Sequence, residues 1–191
     1  LPRHVVMATG VSGIPSLPDI PTLKDFGGTV LHSSRYDDGE KWRGKRALVI
    51  GTGNSGHDIA QDLHSSGAQV TLVQRSPTLI VNIEPSAQLA YTLYDEGPPL
   101  EDCDLIAASM PFCLVRKSHI ALTEQGRKLD KPLLDGLARV GFRLDFGDDG
   151  SGCQLKYLTR GGGYYFDRGC PEVKGAAEAT GAGAPLGRVG D

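Results

Sequence analysis

Residues 45–75 read KRALVIGTGNSGHDIAQDLHSSGAQVTLVQR, and their pattern decides the fold. The apolar run Ala47-Leu48-Val49-Ile50 is short and lies between Lys45-Arg46 and Gly51, as expected of a parallel strand buried on both faces. Gly51-Thr52-Gly53-Asn54-Ser55-Gly56 then places G-x-G-x-x-G where the strand must turn into a helix. The three glycines have separate tasks: a tight turn, close backbone approach to a pyrophosphate, and close packing of helix on strand. A helix is expected from about Ser55 to Ser66, with Ile59, Ala60 and Leu63 on one face and a stop near Gly67. Val70-Thr71-Leu72-Val73 reads as a second strand. A bare glycine motif is weak evidence in a glycine-rich chain. A strand before it, a helix opening from it and a second strand after it make it a dinucleotide site.

The end of the second strand chooses between nucleotides. An NAD site offers Asp or Glu there for the ribose 2′-hydroxyl, whereas this chain has Gln74-Arg75-Ser76, a cation and a hydroxyl suited to a 2′-phosphate. NADPH is therefore the expected cofactor, held by Gly51, Thr52, Gly53, Asn54, Ser55, Gly56, Arg75 and Ser76. No catalytic residue is assigned.

Composition narrows the remaining classes. The chain has 191 residues and net charge −3, enough for one domain with a core plus extensions. Lys and Arg are scattered among the acids, so no nucleic-acid footprint is expected. The longest apolar run, Leu105 to Val115, is too short to cross a bilayer and contains Pro111, which points to a buried helix segment and no membrane partner. Cys103, Cys113, Cys153 and Cys170 lie far apart without a C-x-x-C pair, and the five histidines show no H-x-x-H or H-E-x-x-H spacing. These features imply reduced cytoplasmic thiols and no metal. The opening Leu1-Pro2-Arg3 is neither a signal peptide nor an initiating methionine, as in a chain entered in its middle.

Residues 4–10, His-Val-Val-Met-Ala-Thr-Gly, are expected to form a short strand whose small C-terminal residues admit a close neighbour. Pro15, Pro18 and Pro21 make an extended connector of residues 12–23. Then comes Phe26 to Tyr36, FGGTVLHSSRY, with F-x-G-x-x-x-H-x-x-x-Y between the Ala-Thr-Gly and the glycine turn. This ordered set resembles the fingerprint of class B flavoprotein monooxygenases, the flavin-containing monooxygenases and their Baeyer–Villiger relatives. The likeness extends from about Val5 to Tyr165 and includes Gly162-Gly163-Tyr164-Tyr165. Baeyer–Villiger enzymes usually carry Trp at the last fingerprint position, so Tyr36 favours the N- and S-oxygenating branch. His32 reads foremost as a hydrogen-bonded linker histidine, although it, Ser33 and Ser34 could also lie near the nucleotide. Arg35 reads as a solvated charge, and Trp42 as a packing anchor.

Beyond Arg75, Thr78 to Val81 is a possible strand and Ser86 to Tyr94 a possible short helix, interrupted by Gly97-Pro98-Pro99. Helical spacing recurs from Glu101 to about Leu129 and from Lys131 to Val140, with Leu105, Ala108, Phe112, Val115, Leu133, Leu134, Leu137 and Val140 as packing positions. Phe142 to Phe146 is a short apolar run, and Gln154 to Leu158 reads as a further strand. Lys174 to Asp191 is dominated by Gly and Ala without periodicity and reads as a disordered tail. The likeness ends there, which suggests a truncated, mis-spliced or frame-shifted reading.

The resemblance implies an α/β fold: a Rossmann-like doubly wound parallel sheet with a helical insertion, one part of an incomplete two-dinucleotide-binding-domain flavoprotein. The implied division is residues 1–10 as the end of an FAD domain, 11–44 as linker, 45–173 as the NADPH domain and 174–191 as tail. It also implies NADPH- and O2-dependent oxygenation of a small molecule, a soft N or S nucleophile or a ketone, through a flavin C4a-(hydro)peroxide. The FAD site is incomplete in this chain, so isolated activity is not expected. A pyridine nucleotide-disulfide reductase and a non-catalytic nucleotide-binding fragment remain as alternatives. A short-chain dehydrogenase fits less well, because none of the six tyrosines is followed four residues later by lysine.

Overall fold

The structure, a computed structural model, describes residues 2–8, 10 and 13–168. Thr9, Cys170 and the Gly/Ala-rich tail expected at 174–191 lie outside the described residues. The chain divides into two compact units, Leu1–Asp37 and Asp38–Asp191.

The first unit is largely irregular. Residues 4–8 and 10, expected as part of a strand, form none, and Val6 is 87% exposed. A strand is stabilised by its ladder, and among the described residues these have no strand to pair with. After the proline-rich connector, Pro21–Asp25 makes a 3-10 turn begun by its proline. A second 3-10 turn, Ser33–Arg35, is capped by His32.

In the second unit β1 (Arg46–Ile50) leads through the glycine turn to α1 (Asn54–Ser65) and then β2 (Gln69–Val73). The two strands pair in parallel, Arg46 beside Gln69 through to Ile50 beside Val73. This β-α-β unit follows the expected order. Gly67, at φ +88°, ends α1 because a left-handed residue there lets Ala68 N–H donate back to the Leu63 carbonyl at 2.9 Å. One expectation needs correcting: β1 is not buried on both faces, since Leu48 is 61% and Ile50 50% exposed. Alpha-helical cover from α1 reaches only the face that carries the alternate residues, Ala47 and Val49, which are half-buried.

The second sheet pairs β3 (Leu79–Asn82) with β4 (Tyr164–Asp167), also in parallel, Leu79 beside Tyr164. The four strands therefore form two parallel pairs, and the fold is α/β and Rossmann-like. Between β3 and β4 runs the helical insertion: α2 (Thr92–Glu96), α3 (Leu100–Ser109), α4 (Phe112–Leu129), α5 (Lys131–Arg139) and α6 (Gly152–Arg160). The short helix expected from Ser86 to Tyr94 is helical but changes pitch along its length, from a π turn at Ile83–Ala87 through a 3-10 helix at Gln88–Tyr91 into α2.

Two further readings change. The run from Leu105 to Val115 is helical, but it is bent by 107° between α3 and α4 and is not a buried segment. Pro111 precedes α4, where a proline without an N–H starts a helix and cannot continue one. Leu105 is 68% and Phe112 65% exposed. No single helix among the described residues is long and apolar enough to cross a membrane, although this bent pair would pass by length and composition. Residues 154–158 are not a strand but the middle of α6, which ends at Gly161 in the left-handed conformation. Five residues of mixed pattern fit either period, and burial of Leu155 and Lys156 on one side of a helix prevails.

The core lies against β3 and β4. Ile80 and Tyr165 pack with Leu134 and Leu137 of α5, flanked by Leu133, Phe142, Leu144 and Phe146. Asp130, buried between α4 and α5, accepts from Asn82 N–H at 3.0 Å, Asn82 Nδ2 at 2.8 Å and Ser86 Oγ at 2.6 Å. It fastens the insertion to the end of β3.

Candidate functional site

The candidate site is the turn between β1 and α1 together with the chain leaving β2. Gly51 has φ +118°, outside the range that side chains readily adopt, and its N–H donates to the Val73 carbonyl at 3.0 Å. The turn thus starts where the parallel ladder ends. Gly53, with φ −83° and ψ −176°, precedes the first residue of α1. A β-carbon built on it would meet nothing within 4 Å. Gly56 is the opposite case: a β-carbon there would collide with the Gly51 carbonyl oxygen and come within 3.0 Å of its carbon. One glycine leaves open space at the helix terminus, and the other lets helix and strand touch.

The first N–H groups of a helix have no acceptor within it, and α1 has no side-chain cap. Gly53 through Gly56 therefore direct backbone donors outward at the positive end of a helix dipole, an arrangement suited to a pyrophosphate. Ser55 is exposed beside them. Thr52 and Asn54 have other tasks. The Thr52 hydroxyl is buried 2.5 Å from that of Thr78, and Asn54 Oδ1 accepts from Phe166 N–H at 3.1 Å. Their side chains tie the turn to β3 and β4, leaving their backbone for a ligand.

His57, one turn into α1, is buried and stacks on Tyr165 with ring centroids 4.1 Å apart and planes within 10°. Phe142 meets the same imidazole edge-on at 5.9 Å. The glycine turn thus stands on an aromatic base formed by the first helix and the last strand. Sequence periodicity selected Ile59, Ala60 and Leu63 for this face; the histidine carried no local sign of its burial.

At the far end of β2, Arg75 and Ser76 are exposed. Arg143, which sequence reading did not select, reaches this point from the segment between α5 and α6. Its Nη2 donates to the carbonyls of Gln74 at 2.9 Å and Arg75 at 2.7 Å. A pairing over 68 positions leaves no local pattern to find.

Other titratable groups lie away from the turn. Burial drives the Asp145 carboxyl up, but Lys156 Nζ and the N–H groups of Gly147 and Phe146 outweigh it and hold the group below the ordinary value of 3.8. Burial raises the Cys153 thiol and lowers His119. Both line a cavity of about 50 Å³ beneath α4, with Ile80, Asp130 and Leu134. This has room for a few water molecules, not a nucleotide, and a thiol with a raised pKa is a poor nucleophile.

In the first unit, the Phe26 ring lies over Gly28, where a β-carbon would come within 2.6 Å of it. His32 Nδ1 accepts from Ser34 N–H at 3.1 Å and lies 2.9 Å from Ser34 Oγ. Phenylalanine, glycine and histidine of the fingerprint thereby shape one loop.

These features define an α/β protein with a strand-to-helix glycine turn of the dinucleotide-binding kind. The family described as pyridine nucleotide-disulphide oxidoreductase matches residues 2–95. The chain is 36% identical over 121 residues to probable indole-3-pyruvate monooxygenase YUCCA7 of Arabidopsis thaliana, covering 63% of this chain and 26% of that protein. It is 45% identical over 74 residues to probable indole-3-pyruvate monooxygenase YUCCA3 of the same plant, 39% of this chain and 17% of that one. Against indole-3-pyruvate monooxygenase YUCCA1 of Oryza sativa subsp. japonica it is 42% identical over 74 residues, 39% of this chain and 18% of that protein. These matches support the resemblance of the chain to part of a class B flavoprotein monooxygenase. Its matched part spans about a quarter or less of the length of these relatives.

Proposed function

We propose that this chain supplies the NADPH site of a flavin-dependent monooxygenase, and that residues 45–173 are its nucleotide domain. The observation that carries the reading is the pairing of an open Gly53 with a tightly packed Gly56 at the start of α1. The backbone N–H groups of Asn54, Ser55 and Gly56 hold the pyrophosphate. Arg75 and Ser76 hold the 2′-phosphate, Arg75 by a charge-assisted contact. NADPH held there would supply the hydride that reduces FAD, for chemistry in which one atom of O2 goes to a small molecule and the other leaves as water. The chain's own part is to bind and orient the nucleotide. Among the described residues 51–56 is the one strand-to-helix turn with this glycine spacing, so FAD is assigned from the family and not to residues of this chain.

The substrate is a soft nucleophile or a ketone. Tyr36 favours N- or S-oxygenation, whereas the relatives named above as indole-3-pyruvate monooxygenases bring a ketone-bearing acid into the range. A disulfide reductase, suggested by the description of the matching family, needs a dithiol pair. Cys103, Cys113 and Cys153 are each free, and Cys103 Sγ instead donates to the Leu93 and Pro98 carbonyls, both at 3.2 Å. The likeness to relatives named as monooxygenases favours the monooxygenase reading.

Titration with NADPH and NADH, followed by nicotinamide fluorescence, tests the site. NADPH is expected to bind about tenfold more tightly or better, a difference of ~1.4 kcal/mol, and Arg75→Ala to abolish most of that preference. An unchanged NADPH to NADH ratio in Arg75→Ala refutes the assignment.

A further inference from the structure

The turn after β2 is held from outside. Gln74 and Arg143 exchange two hydrogen bonds, Arg143 N–H to Gln74 Oε1 and Gln74 Nε2 to the Arg143 carbonyl, both at 2.9 Å. Thr78 N–H donates to the same Arg143 carbonyl at 3.0 Å, and Asp145 N–H returns a bond to Thr78 O at 3.1 Å. Residues 143–145 thus lie along 74–78 as a rudimentary strand, with Thr78 bridged to Leu144 in parallel sense. Superimposed on this ladder is the guanidinium, whose Nη2 engages the successive carbonyls of Gln74 and Arg75.

Two carbonyl oxygens at the end of a strand present partial negative charge, which opposes an approaching phosphate. A cation donating to both neutralises that field and fixes the peptide from which Arg75 projects. Arginine suits the task because its planar fork carries five donors in fixed geometry and stays charged. We propose that Arg143 is a positioning residue for 2′-phosphate recognition: by clamping the Gln74 and Arg75 carbonyls it sets the preference of the site for a ribose 2′-phosphate over a free 2′-hydroxyl. This rests on the NADPH reading above and adds to it a residue from within the insertion, between α5 and α6. The segment carrying Arg143 leads directly into Leu144 and Phe146, which pack against the core.

The experiment uses the 191-residue chain, with NADPH and NADH titrated against wild type, Arg143→Ala, Arg143→Gln and Arg143→Lys, and thermal unfolding followed in parallel. Arg143→Ala is expected to weaken NADPH about tenfold while NADH stays within about twofold. Arg143→Gln, which retains a neutral amide but no charge, falls between, and Arg143→Lys, which keeps the charge without the planar fork, recovers the preference only in part. An unchanged ratio, or equal loss of both nucleotides, overturns the proposal. Should Arg143→Ala fail to fold, Arg143→Gln is judged by the same criterion. A wild-type chain indifferent to the 2′-phosphate refutes the NADPH reading itself; a discriminating wild type with an equally discriminating Arg143→Ala refutes only the role of Arg143.

Discussion

Gly56 stands directly against Gly51, so that a β-carbon on the helix would lie 3.0 Å from the carbonyl carbon of the turn and overlap its oxygen. The obstacle is backbone and cannot swing aside. Gly56→Ala is therefore expected to cost about 1–3 kcal/mol, as overpacking does, and to abolish nucleotide binding; urea unfolding and a binding titration read the two effects. Gly53→Ala separates them. Its φ is ordinary for alanine and its surroundings are open, so stability stays within about 0.5 kcal/mol while nucleotide affinity falls at least tenfold, by about 1.4 kcal/mol.

Acid unfolding should report Asp145. Its folded pKa lies below the ordinary 3.8, so the stability it contributes is complete above that value and is lost as pH falls through the folded one. Urea midpoints measured from pH 6 downward should drop below about pH 4. Asp145→Asn is expected to flatten that limb, and to cost about 1–3 kcal/mol at pH 7 because it strands the buried Lys156 ammonium. Equal acid limbs in wild type and variant would refute the pairing.

Core and surface apolar residues make contrasting predictions. Leu137, 3% exposed against Ile80 and Tyr165, should cost about 2–5 kcal/mol on replacement by Ala. Phe112 lies outside any cluster of buried side chains, and Phe112→Ser should change stability by no more than about 0.5 kcal/mol. Thermal unfolding of the two variants provides the comparison.

The legibility of these features differs for physical reasons. The β1-α1-β2 unit was readable because strand period, turn chemistry and helix stop agree within thirty-odd residues. Burial was less so: Leu48, Ile50, Leu105 and Phe112 carry apolar side chains, but whether another element covers them is a tertiary fact. Gln154 to Leu158 was misread because so short a run does not separate strand from helix. At the proposed site, the glycines are picked out by their spacing and Arg75 by its place at the end of β2. The binding of Thr52 to Thr78, the stacking of His57 on Tyr165 and the reach of Arg143 to Gln74 depend on contacts between distant segments, and nothing local encodes them.

The most direct measurement is the amide ¹⁵N–¹H spectrum of the chain titrated in turn with NADPH and NADH. The account predicts that both nucleotides shift the amides of Gly53, Asn54, Ser55 and Gly56, and that NADPH alone adds large shifts at Arg75 and Ser76. Shifts of both nucleotides that leave residues 53–56 unmoved would contradict it.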